Sequence, residues 1–256
     1  MTLSSFPVEA VQVMLALPRL GMALFLLPFM GGQMFPPLAR VAISIPFAYF
    51  ASQLWAPLNP GEVEASLLWL VAKEAVLGLL LGIVWALPFY ALEITGHLVD
   101  FQSGLTFTQI TDPFNGNSVG ISASFLMKFF SMLFIAAGGL LLFLDTLFLS
   151  YRAWPITEIL PHGFTFSVFR TLLFETHAIF TLALLFAAPV VLILLLVELA
   201  VAVIGHSFPR FPVSDVVLPI KNALVWWILL AVIGFVAERS LILLPHLADI
   251  TRQILR

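Results

Sequence analysis

Apolar residues in this chain run in long blocks separated by short polar breaks. Six blocks approach the roughly 20 mostly apolar residues that a helix needs to cross a bilayer. The first runs from about Ala10 to Met30, with Pro18 and Arg19 inside it. The second runs from about Val41 to Trp55 and is closed by Pro57 and the Asn59-Pro60-Gly61 turn. The third starts near Leu67 and continues to Pro88 or Leu92. The fourth runs from about Ala123 to Tyr151, the fifth from His177 to Ile204, and the sixth from Pro219 to Leu244. Proline and glycine punctuate these blocks where helices stop or bend. The pattern predicts an all-α, polytopic membrane protein, with residues 1–256 forming a single membrane domain.

Three connections hold most of the polar residues: Glu93 to Gly120, Arg152 to Glu175, and Gly205 to Leu218. The first is the longest, and its part from Phe101 to Gly120 mixes phenylalanine with glycine and small polar residues. Asp112-Pro113 and Asn115-Gly116 are turn signals. Non-helical backbone at membrane depth survives only where protein buries it or water fills the adjoining cavity. Two readings of this segment stand side by side. It is an ordinary solvent loop, or it is folded into a pore with Phe107 and Phe114 as an apolar constriction of the kind that gates by dewetting.

Composition narrows the class. The chain is 61% hydrophobic and 10% charged, with a mean hydropathy of +1.10. A soluble protein averages about 25% charged residues, so a bilayer or a large partner must act as second solvent. The net charge of −3 and the lack of a basic run exclude a nucleic-acid binder. No cysteine is present, which excludes disulfides and thiolate chemistry. The first basic residue is Arg19, so the N-terminus does not read as a cleavable signal. Counting basic residues per loop leaves the orientation confused: Arg40, Lys128, Arg210 and Lys221 fall on one side, and Arg152, Arg170, Arg239, Arg252 and Arg256 on the other.

Ionisable residues inside the apolar blocks are Arg19, Lys73, Glu74, Lys128, Asp145 and Glu198. Each costs about 2.5–3.5 kcal/mol at a helix centre on insertion scales, so they are expected to face protein or water. A proton relay is one reading, and paired charges in helix contacts the other. Lys73 and Glu74 are adjacent and are not expected to share a helix face. Hydrolase elbows, zinc-protease helices and phosphate loops are missing, and no cofactor or metal is expected. His97 and Asp100 stand three apart, which makes half a metal site or, more simply, a polar helix end. His162, His177, His206 and His246 lie near block ends. Gly78 and Gly82 share one helical face and, with Gly31 and Gly32, are candidates for close helix approach during assembly.

The residues also carry a resemblance. Pro28, Gly31, Gly32, Pro36 and Arg40, then Lys73-Glu74 with Leu77-Gly78 and Gly82, follow one another in a recognisable order. The most specific block is Pro88-Phe89, Glu93, Gly96, Asp100, Gln102 and Gly104, followed by Asp112-Pro113. Ser150-Tyr151 with Trp154-Pro155, then Pro189, Glu198, Pro209 and Pro219-Ile220-Lys221, complete it. In this order and spacing the chain resembles the SctT proteins of type III secretion injectisomes, which are related to flagellar FliR. Two departures are Ser103, where a basic residue often follows the glutamine, and the short Gly116-Asn117-Ser118.

The resemblance implies an export-gate subunit of the bacterial inner membrane. One copy would stand in a helical assembly with SctR-type and SctS-type subunits, beside SctU-type and SctV-type components, partly raised above the bilayer plane. Unfolded secreted proteins would pass through, and membrane lipid would surround the assembly. The implied role is passive, with Phe101, Gly104, Phe107, Asp112, Pro113, Phe114 and Gly116 in the plug, and with Gly31, Gly32, Gly78, Gly82, Glu198, Pro219 and Lys221 in packing. The rival readings are a small-solute permease coupling through Glu198, Asp145 or Lys128, and an intramembrane hydrolase.

Overall fold

The computed structural model describes residues 7–31, 36–55, 60–104, 110–111, 118–156, 158, 166–207 and 213–255. The chain is all-helical apart from one short pairing. Helix α1 spans Val8–Phe25 and leads through a 3-10 turn, Pro28–Met30, to α2, Pro37–Ser52. Then come α3, Pro60–Ser103; α4, Ile121–Ala136; α5, Gly139–Ala153; α6, Phe166–Ser207; and α7, Val213–Ile254. Among the described residues, four helices are long and apolar enough to cross a membrane, and α4 with α5 makes a fifth such element bent by 70°. The 16-residue α2 is shorter.

The predicted blocks are all helical, and their limits are instructive. Helix α3 passes straight through Pro88 and on to Ser103, so the stretch from Glu93 to Ser103 is helix rather than connection. Neighbouring helices in a membrane bundle satisfy the backbone groups that proline frees. The block from Ala123 to Tyr151 is broken at Ala137-Gly138, where Gly138 adopts φ +77 and starts α5 on a new axis. The Gly138-Gly139 pair was the sequence signal for that bend.

Helices α3, α6 and α7 contain 44, 42 and 42 residues. At 1.5 Å per residue each is roughly 60 Å long, twice the hydrocarbon thickness of about 30 Å. Helix α3 is central, with 61% of its most apolar window buried, against 28% for α6 and 24% for α7. It is held on one side by α1, which runs in the same direction. A methyl group on Gly78 would overlap the Arg19 carbonyl, and one on Gly82 would come within 2.9 Å of the Ala23 Cα. The other side carries a cluster of rings. Phe89 meets Phe130 at 4.6 Å and Phe134 at 5.2 Å, Phe29 meets Phe89 at 5.8 Å, and Trp85 meets Phe143 at 5.7 Å. Most of these contacts are tilted or edge-on, the arrangement that the ring quadrupoles favour, and such a pair adds about 0.5–1.5 kcal/mol beyond burial.

Below that cluster lies a buried charge group. Arg19 of α1 donates through Nε to Glu74 Oε2 at 2.7 Å and through Nη2 to Glu74 Oε1 at 3.0 Å. It also donates to Ser150 Oγ and to the Trp154 carbonyl, and lies 4.3 Å from the centre of the Tyr151 ring. The Tyr151 hydroxyl donates to the Ala16 carbonyl at 2.7 Å. Lys73 donates to the carbonyls of Pro155, Ile156 and Glu158, and its Nζ is 3.2 Å from Glu74 Oε1. Adjacent positions on a helix point about 100° apart. The lysine stem bridges that angle, so the two charges meet although their positions do not share a helix face. The two cations tie α1, α3 and the segment after α5 together.

Candidate functional site

The segment between Gly104 and Gly120 leaves α3 and enters α4 at one junction. Helix α3 ends at Ser103, whose hydroxyl donates to the Asp100 carbonyl. Gly104 follows with φ +79, the left-handed residue that commonly terminates a helix. Leu218 of α7 packs close beside it. Helix α4 begins at Ile121 behind Gly120, which has no side chain to cap the first turn.

Asp100 supplies that cap from α3. Its Oδ1 accepts the Ser122 N–H at 3.1 Å and its Oδ2 accepts the Ala123 N–H at 3.2 Å. These are the second and third helical amides, the pair that a capping side chain normally serves, and a carboxylate there also suits the helix dipole. Asp100 is 3% exposed. The approach needs bare backbone: a methyl group on Gly96 would overlap Ala123, and one on Gly120 would overlap the Asp100 carboxylate. Beyond the junction, Ile110 pairs with Val119 and Thr111 with Ser118 in a two-residue antiparallel ladder. The described residues near the two ends of the segment therefore run antiparallel, side by side.

A second set of polar contacts ties the junction to the last two helices. Gln102 Nε2 donates to Glu198 Oε2 of α6 at 2.9 Å. Lys221 of α7 donates to Glu198 Oε1 at 2.5 Å and to the Gln102 carbonyl at 3.4 Å. Lys221 is buried while Glu198 is half exposed. Glu198 of α6, Lys221 of α7 and Gln102 of α3 thus meet at one place, two residues before the α3 terminator Gly104.

The other anticipated residues are distributed as follows. Phe101 lies on the last turn of α3 and is exposed. Phe107, Asp112, Pro113, Phe114, Gly116 and Gly32 lie outside the described residues. Gly31 closes the 3-10 turn, its N–H donating to the Pro28 carbonyl. Pro219 is exposed on the second turn of α7. Gly78 and Gly82 pack within the chain, on α1. His97 is half exposed, with its Nε2 3.9 Å from a Glu93 carboxylate oxygen. Asp145 on α5 is 3.5 Å from Arg252. Because Lys221 and Arg252 stand 31 positions apart on one helix, Glu198 and Asp145 are roughly 45 Å apart along it and form no common site.

Residues 10–244 match the family described as bacterial export proteins, family 1. The chain belongs to that family. It is similar to the Yop proteins translocation protein T of Yersinia pestis, with 30% identity over 218 residues, covering 82% of this chain and 81% of the relative. It is also similar to the surface presentation of antigens protein SpaR of Salmonella typhimurium, with 30% identity over 220 residues, covering 84% and 80%. The flagellar biosynthetic protein FliR of Bacillus subtilis is 25% identical over 201 residues, covering 77% and 76%.

As a bacterial export protein of this family, the chain is a multi-pass membrane protein with a role in protein export, alongside other components of a secretion apparatus. The family is one of apparatus components rather than enzymes. The block Gly96, Asp100, Gln102, Gly104 that carried the resemblance is, in space, the junction just described: the glycine that admits α4, the carboxylate that caps it, the amide that reaches α6, and the helix terminator. Of their partners, Gly120 and Ala123 stood in the sequence only as the limits of a connection and an apolar block, and Ser122 not at all. Their only signal was a glycine followed by small residues at the start of an apolar block.

Proposed function

We propose that this chain is a subunit of a type III secretion export gate in the bacterial inner membrane, and that residues 101–120 close the channel when it is idle. Its neighbours in the gate are SctR-type and SctS-type subunits, with SctU-type and SctV-type components beside them, and its cargo is unfolded secreted protein. The observation that carries the reading is that both ends of a phenylalanine- and glycine-containing segment are fixed at one rigid junction by Asp100, Lys221 and Glu198. A plug must return to one place after each passage, and a segment with clamped ends does so. A channel wide enough for a polypeptide excludes ions only with an apolar constriction, which Phe107 and Phe114 supply.

Deleting Thr108 to Asn115 tests this in cells that express the assembled gate. Ion leakage and entry of small molecules rise while the complex still assembles. Single changes Phe107→Ala and Phe114→Ala leak less, because neighbouring apolar groups refill part of the gap. An assembled deletion complex as tight as the parent overturns the plug assignment.

A further inference from the structure

A second feature lies at the outer side of α3, away from the loop junction. A cavity of about 190 Å³ opens between four helices. Its walls are Pro88 and Leu92 of α3, Phe130 of α4, and Leu182 and Phe186 of α6; α7 contributes Arg239 and His246 at the rim. The two rim residues are seven positions apart and so share one face of α7. Both are exposed.

One rim residue, Arg239, is a cation with no carboxylate beside it among the described residues. Arg19, Lys73, Lys221 and Arg252 each have a carboxylate within 4 Å. Among the described residues Arg239 has none, and its guanidinium lies 5.4 Å from the Phe235 ring centre instead. Phe235 in turn stands edge-on to Phe186 of the cavity wall at 5.9 Å. Glu238 is the next residue on the helix, turned about 100° from the cavity. Arg239 also interrupts an apolar stretch. The apolar run of α7 from Ala223 to Ala237 breaks at Glu238 and Arg239 before it resumes over residues 241–244, and that of α3 breaks at Glu93, the residue after Leu92 of the wall. Long basic side chains at such a break reach for lipid headgroups.

We propose that this cavity is a binding site for an anionic phospholipid. One acyl chain lies against Leu92, Phe130, Leu182 and Phe186, and the phosphate accepts hydrogen bonds from the Arg239 guanidinium and the His246 ring. A tail without a charge leaves the arginine unanswered, and a soluble anion leaves the apolar walls wet. A phospholipid satisfies both halves.

The test uses the full-length chain in nanodiscs containing equal phosphatidylglycerol and phosphatidylcholine, with retained lipid read by native mass spectrometry. Phosphatidylglycerol is retained preferentially. Arg239→Gln lowers that preference about fivefold, the worth of one basic group near anionic lipid. Arg170→Gln, another exposed arginine resting on a ring, here Phe174, leaves it unchanged. Leu182→Trp fills the cavity and lowers retention of both lipids. If Arg239→Gln does not fold, His246→Gln gives the same reading. Glycerol phosphate added at the same concentration does not compete, because it has no chain. Equal retention of the two lipids by the parent protein overturns the proposal, as does displacement by glycerol phosphate, which would make the site one for a soluble anion. Unchanged retention in Leu182→Trp also overturns it, and leaves the groove to a protein partner.

Discussion

Arg19 and Glu74 meet through two parallel N–H···O contacts, at 2.7 and 3.0 Å, with neither side chain exposed to solvent. The pair joins the middle of α1 to the first apolar stretch of α3. Removing Arg19 leaves Glu74 buried with Lys73, at 3.2 Å, beside it; breaking a buried pair from one side costs about 3–5 kcal/mol, whereas an apolar pair of similar volume is often neutral. Arg19→Met should therefore lower thermal stability in detergent sharply. Adding Glu74→Met should recover part of the loss, held below full recovery by Lys73, which then loses its carboxylate. A double variant less stable than Arg19→Met alone would show that the charges are not compensating each other.

The glycines of α3 make a graded prediction. Gly78 and Gly96 have backbone where a methyl group would go, Gly82 has Ala23 backbone and Leu26 side chain, and Gly234 of α7 has nothing within 4 Å. Overpacking typically costs about 1–3 kcal/mol. Gly78→Ala and Gly96→Ala should each lower the unfolding temperature, and Gly234→Ala should leave it unchanged or raise it through helix propensity. Gly82→Leu should also reduce recovery of intact complex on native gels more than Leu80→Phe does. Equal recovery from these two would remove Gly82 from the determinants of assembly.

Asp100 caps a helix other than its own, so its loss should be felt at α4. Asp100→Ala should cost about 0.5–2 kcal/mol, the usual worth of a cap, and should speed hydrogen exchange at the amides of Ser122 and Ala123. Asp100→Asn keeps one acceptor oxygen and should protect one amide better than the other. If exchange at both amides is unaltered in Asp100→Ala, the carboxylate is not what protects the first turn of α4.

Glu198 has two partners, Gln102 and Lys221, and is half exposed. An amide at this position still accepts from Lys221, and a partly exposed ion pair contributes about 1 kcal/mol or less. Glu198→Gln should accordingly preserve both assembly and secretion, measured as exported protein in the medium. Normal assembly with abolished secretion would point instead to a protonation step at Glu198.

The sequence by itself determined the class of the molecule and the run of its helices. Long apolar blocks leave a chain little choice, because in lipid every backbone group must be satisfied within a helix or a closed barrel. The order of Gly96, Asp100, Gln102, Gly104 and Pro219-Ile220-Lys221 also carried the family. What the sequence could not determine was who meets whom. Lys73 and Glu74 are placed on different faces by helical geometry, yet the lysine stem brings them within 3.2 Å because Arg19 and the carbonyls of Pro155, Ile156 and Glu158 draw both toward one buried point. Asp100 read as a polar helix end; only the packing of α4 against Gly96 turns it into a cap for Ser122 and Ala123. Glu198 read as a charge in an apolar block that must be satisfied in a helix contact, but its partners, Lys221 of α7 and Gln102 of α3, come only from the packing. Local pattern sets which residues are helical and which must be satisfied. Their partners lie tens of residues away, and only the way the helices pack selects them.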